Sequence, residues 1–150
     1  MIPKGSAGIG HLTTRIFTHL LPGAEDAYQM SDLAFLAGLV AMVGQDFDRG
    51  VDVLMQDRQD INEIFLEAIP HVANTSLKER MMSVVNTKPE SFKLTDLNAE
   101  ADIAMRTLID LHEHVENAQD EGAAWASALN DRIWTFLDAH VERRKYDVPM

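Results

Sequence analysis

From Glu25 to Ile69 the chain has no proline, and along it one row of positions advances in alternating steps of four and three. The row is Leu33, Ala37, Val40, Gly44, Phe47, Val51, Leu54, Arg58, Ile61, Phe65 and Ala68; Arg58 is its one charged member. A repeat averaging 3.5 residues, held this long, is the seam of a long helix packed against neighbours, and it is incompatible with strands. The spacing predicts a helix over 25–69, about 65 Å long at about 1.5 Å per residue. Pro70 stops it, because proline lacks the amide donor and clashes with the preceding turn. The one alternative is a kink or break at 44–50, where Gly44 and Gly50 each cost about 1 kcal/mol against alanine in a helix interior.

The other segments also read as helices. Residues 1–8 are a flexible lead-in. Ile9, Leu12, Ile16 and Leu20 then form one face of a helix over 9–21, ended by Pro22-Gly23. Ser76 and Glu79 have the spacing of a capping box and open a short helix with Leu77, Met81, Val84 and Val85 on one side. A loop over 86–95 contains Pro89. Thr95 or Asp96 caps the next helix, whose stripe is Leu97, Ala101, Ala104, Leu108, Leu111 and Val115. A turn over 117–122, with Asp120 as cap, leads to a last helix reaching about Lys145, with Trp125, Leu129, Ile133, Phe136 and His140 inward. No period-two alternation marks a strand. The expected fold is therefore all-α: a single helical-bundle domain over 1–150, with one long central helix and a C-terminal antiparallel helix pair docked on it. Leu33, Val40, Phe47, Val51, Leu54, Phe65, Leu108, Leu111, Leu129, Ile133 and Phe136 are its expected buried positions.

Composition narrows the function. The 150-residue chain has no cysteine, which removes disulfide scaffolds, zinc ribbons and thiol nucleophiles. Its net charge of −11 and lack of a basic stripe argue against nucleic acid, whose binding runs on phosphate neutralisation. Arg143-Arg144-Lys145, at the end of the last helix, complements the helix dipole. The longest apolar run, Leu33–Val43, is eleven residues, too short to span a bilayer. With no apolar segment near Met1, these features predict a cytoplasmic protein without a membrane partner.

Around Leu33–Val43 the long helix is apolar on every side. Phe35, Leu39 and Met42 lie about 140–200° from the seam at about 100° per residue. A helix apolar all round must be covered all round, by other helices of its own chain or by a partner subunit. Trp134 and Val141, off the inner face of the last helix, add to the case for a partner. The expectation is a homodimer using Phe35, Leu39, Met42 and Trp134.

Motifs of known chemistry are missing: there is no phosphate loop, no nucleophile elbow and no His-Glu-x-x-His. Asp32, Asp46 and Asp57 flank the seam about 16–20 Å apart, too far for one site. Three histidines fall on or beside inward faces, and a set of His19, His112, His140 and Glu116 has the residue types from which bundles build metal sites. Separately hydrogen-bonded histidines are the plainer reading, with Glu116 one turn after His112 and able to pair with it. Arg58, a charge on the seam, must reach the bundle rim or meet a carboxylate; fixing register is its expected role, anion binding the alternative. The methionines fill core or line an adaptable pocket. The sequence thus supports a non-catalytic helical bundle acting through self-association or another protein, without a cofactor. The alternative is a bundle holding a metal ion or a small ligand.

Overall fold

The computed structural model describes residues 4–147. It is all-α, with no strand among the described residues. Helix α1 spans Gly5–Arg15 and continues through a π-turn, Ile16–Leu20, and a 3-10 turn, Leu21–Gly23. Helix α2 spans Ala27–Ala68, α3 Thr75–Asn86, α4 Leu94–Asp120 and α5 Ala124–Arg143. The described chain forms two compact units: residues up to Gly50 together with Lys145–Asp147, and Val51–Arg144.

Helix α2 starts where Asp26 Oδ1 accepts the Gln29 amide at 2.8 Å and ends just before Pro70. It passes through Gly44 and Gly50 as one helix, so the break into two helices at 44–50 does not occur. Its neighbours differ in four places from the sequence expectation. Residues 5–8 are helical rather than a lead-in, while 1–3 lie outside the described residues. The α3 cap is Asn74, whose Oδ1 accepts from the Leu77 amide at 3.1 Å, so the helix begins one residue before Ser76. Asparagine and serine cap about equally well, and here asparagine comes first along the chain. Neither Thr95 nor Asp96 caps α4; its N-cap is Lys93, with Asp96 in the first turn. Gly122, at φ +82°, ends α4 in the left-handed conformation and turns the chain into α5. Asp120 remains in α4, and Ala123 caps α5 without a side-chain bond.

The C-terminal unit holds the core. Ile61, Ile64, Phe65 and Ala68 of α2 pack with Leu77 and Met81 of α3, Leu108, Leu111 and Val115 of α4, and Leu129, Ile133 and Phe136 of α5. Here the expected inward positions Leu54, Phe65, Leu108, Leu111, Leu129, Ile133 and Phe136 are buried, while Val51 is half-buried.

The N-terminal unit is different. Ala37 is its one buried apolar residue among those described, and Leu33 and Val40 are half-buried. Phe47, expected inside, is 57% exposed. Its ring rests on the start of α1, where a Cβ at Gly5 would lie 2.5 Å from Phe47 Cζ. Gly44 serves the same contact, since a Cβ there would come within 2.8 Å of Ile9 Cγ2. Within this unit α1 meets α2 at Phe47 and Gly44, while Phe35, Leu36, Leu39 and Val43 are exposed. Three residues of the C-terminal tail also belong to this unit. Gln45 exchanges two 2.9 Å hydrogen bonds with the Asp147 backbone, Arg49 donates to the Lys145 carbonyl, and the Tyr146 hydroxyl donates to Asp46 at 2.7 Å.

Candidate functional site

The C-terminal unit contains a buried ionic cluster built on Asp57, a residue only 3% exposed. His140, Arg143 and Arg144 stand at i, i+3 and i+4 on the last turn of α5 and so share a face. His140 Nδ1 lies 2.8 Å from Asp57 Oδ2, Arg144 Nη2 donates to Oδ2 at 2.6 Å, and Arg143 Nη1 donates to Oδ1 at 2.6 Å. Arg143 also pairs with Asp60, one turn further along α2. Burial alone would lower the Arg143 pKa. Its hydrogen bonds to Asp60 and Asp57, and their charges, outweigh burial and hold the guanidinium above its ordinary value. The arginines that the sequence offered as dipole partners are therefore the ligands of a buried carboxylate.

His140 Nδ1 is also 2.9 Å from Arg144 Nη1, which can only donate. A ring nitrogen cannot accept from the arginine and donate to the carboxylate at once. The carboxylate at 2.8 Å decides for Nδ1–H, and Arg144 Nη1 has the His140 carbonyl at 3.1 Å as its acceptor. The other ring nitrogen, Nε2, has no hydrogen-bond partner among the described residues.

Arg58 meets a carboxylate, as one of the sequence readings required. Its Nη1 donates to Glu100 of α4 at 2.5 Å, and Nη2 donates to the Thr87 carbonyl after α3. A cavity of about 270 Å³ opens between these two ionic groups. Leu54, Ile61, Leu97 and Met105 give it apolar walls, while Asp57, Glu100 and Asp102 line it beside Arg58, His140 and Arg144.

The residues of the sequence-derived metal set have other neighbours. His112 Nε2 lies 2.9 Å from Asn130 Oδ1 and 3.6 Å from Glu116 Oε1, so the expected pair forms, and its ring meets Trp134 edge-on at 5.3 Å. His140 belongs to the Asp57 cluster. His19, in the N-terminal unit, is exposed and lies 2.7 Å from Thr18 Oγ1. Among the described residues no three His, Asp or Glu side chains are grouped to hold a metal ion.

Of the residues expected at an interface, Phe35 and Leu39 are 67% and 42% exposed, Met42 is half-buried, and Trp134, in the C-terminal unit, is 51% exposed. Leu36, Val43 and Phe47 are exposed beside Phe35 and Leu39. On a helix turning about 100° per residue these five fall within an arc of about 120°. By length and composition α2 is the one helix among the described residues that could cross a membrane. Its charge-free stretch, between Asp32 and Asp46, is thirteen residues. Compared with protein-family models, curated proteins and solved structures, the chain matches none of them.

Proposed function

We propose that this protein is a self-associating helical module, in which α2 of one copy lays the arc of Phe35, Leu36, Leu39, Val43 and Phe47 on the same arc of a second copy. The observation behind this reading is that arc, apolar and exposed from Phe35 to Phe47. Contiguous apolar surface of this kind marks an interaction site. The distribution of charge favours a second copy as its occupant. The N-terminal unit is nearly balanced, with Glu25, Asp26, Asp32, Asp46, Asp48 and Asp147 against Lys4, Arg15, Arg49 and Lys145. The C-terminal unit carries eighteen acidic and nine basic residues, so copies repel there and meet at the N-terminal unit at little electrostatic cost. A bilayer is the poorer occupant: thirteen uncharged residues reach about 20 Å, against a hydrocarbon core of about 30 Å. Two-fold pairing suits a patch that meets itself.

The test is Phe35→Glu combined with Leu39→Glu, followed by sedimentation and by circular dichroism. Retained helicity with a halved mass supports the reading. A wild-type monomer, a variant that still associates, or wild type that floats with phosphatidylcholine vesicles while remaining monomeric in buffer overturns it.

A further inference from the structure

The α4–α5 pair has one long side that faces water. Helix α3 packs on one flank of α4, where Arg80 meets Asp110, and α2 on one flank of α5, where Arg132 meets Glu63 and Glu67. On the remaining side α4 and α5 touch each other. His112 Nε2 lies 2.9 Å from Asn130 Oδ1, and the His112 ring meets Trp134 edge-on at 5.3 Å. At about 100° per residue, Asp102, Arg106, Ile109, Glu113 and Glu116 fall within about 80° of α4 beside that contact. Asp131, Trp134, Asp138 and Val141 fall within about 80° of α5 on its other side. Ile109, Trp134 and Val141 are each more than half exposed. Large apolar side chains gathered on a surface, with a tryptophan among them, mark an interaction site.

The rim of this face is acidic. The carboxylates of Asp102, Glu113, Asp131 and Asp138 are exposed and have no hydrogen-bond or ion-pair partner among the described residues. Glu116 faces His112 at 3.6 Å. Arg106 is the one arginine or lysine of α4, and those of α5, Arg132 and Arg143, are turned to carboxylates of α2.

We propose that this face docks a basic amphipathic helix of another protein, its apolar stripe on Ile109, Trp134 and Val141 and its lysines or arginines on the carboxylates to either side. Charge decides between occupants. Five carboxylates against one guanidinium repel the same face of a second copy, a nucleic acid and an anionic lipid surface alike, and they attract a cationic segment. Length decides its form. Asp102 and Glu113 stand about 16 Å apart along α4, which is about three turns of a helical partner. Helices recognised in this way present apolar anchors at three- and four-residue spacing.

The experiment is titration of the full chain with a fluorescein-labelled leucine–lysine helical peptide of about fourteen residues, about 21 Å long, read by anisotropy. A second peptide has glutamate in place of every lysine. The expected result is saturable binding of one lysine peptide per chain, weakening as salt rises from about 0.05 to about 0.3 M, and no binding of the glutamate peptide. Asp131→Lys combined with Asp138→Lys should weaken binding by about tenfold or more, and Trp134→Ala by a similar factor. All three positions are exposed, so the variants should keep the wild-type circular dichroism. Amide shifts of the wild type on adding the lysine peptide should fall at 102–116 and 130–141, which tests the face without any variant. The proposal fails if no saturation appears up to about 1 mM, if the glutamate peptide binds as well, or if the charge-reversed variant keeps wild-type affinity. It fails equally if the shifts fall on 33–47, or if Trp134→Ala halves the mass in solution, which would assign the face to a second copy. Because the shifts separate α4 and α5 from 33–47, these outcomes are distinct from the success or failure of self-association through α2.

Discussion

His140 Nδ1 and Asp57 Oδ2 lie 2.8 Å apart across 83 residues of sequence, and this contact fixes the last turn of α5 to the C-terminal half of α2. With Arg143 and Arg144 it places three basic groups on one carboxylate that is almost wholly withdrawn from water. Removing one partner of such a cluster leaves the others buried without compensation.

Asp57→Asn is therefore expected to destabilise the C-terminal unit by about 3–5 kcal/mol. Asp110→Asn, which breaks the half-exposed Arg80–Asp110 pair, should cost no more than about 1 kcal/mol. Urea unfolding followed by circular dichroism compares the two; equal costs would mean that the Asp57 cluster contributes no more than a surface pair.

Phe65 and Phe47 occupy the same seam and should respond differently. Phe65 is fully buried and Phe47 is 57% exposed. Phe65→Ala should cost about 3–5 kcal/mol through lost transfer energy and the cavity left behind. Phe47→Ala, measured at low protein concentration, should cost about 1–2 kcal/mol, because much of its ring is already in water. A reversed order in urea unfolding would place the core at the other end of α2.

This contrast marks the limit of what periodicity reveals. The four-three spacing and Pro70 were sufficient to delimit α2, and the stripes of α4 and α5 foretold the core at Leu108, Leu111, Leu129 and Ile133. Spacing identifies a face but not whether something covers it, so Phe47 read like Phe65. Residues 1–8 read as a lead-in, yet 5–8 are helical, and at Gly5 the missing side chain gives Phe47 its place. The Asp57 cluster was legible only in half. The i, i+3, i+4 spacing of His140, Arg143 and Arg144 was visible, but a carboxylate 83 residues away has no local signature, and Arg58 could be assigned a carboxylate partner without naming Glu100.

The tail contact gives a pH prediction. The hydrogen bond to Asp46, with a smaller contribution from burial and from the Asp46 charge, raises the Tyr146 phenol above its ordinary value of 10.0, and Arg49 opposes them weakly. A folded pKa above the unfolded one means that the contribution of this contact is fully present below about pH 10 and is lost as pH rises through the folded pKa. Ultraviolet titration of the wild type against Asp46→Asn should show one tyrosine ionising at lower pH in the variant. Identical curves would mean that the Tyr146–Asp46 bond does not form in solution.

Self-association through α2 is the central claim, and mass in solution is its most direct test. A single chain weighs 16.8 kDa. Sedimentation equilibrium of the wild-type protein at micromolar concentration, in detergent-free buffer, should return twice that value, with a monomer emerging only on dilution. A mass of 16.8 kDa throughout the micromolar range would contradict the account, leaving Phe35, Leu39 and Phe47 exposed to water without a second copy to cover them.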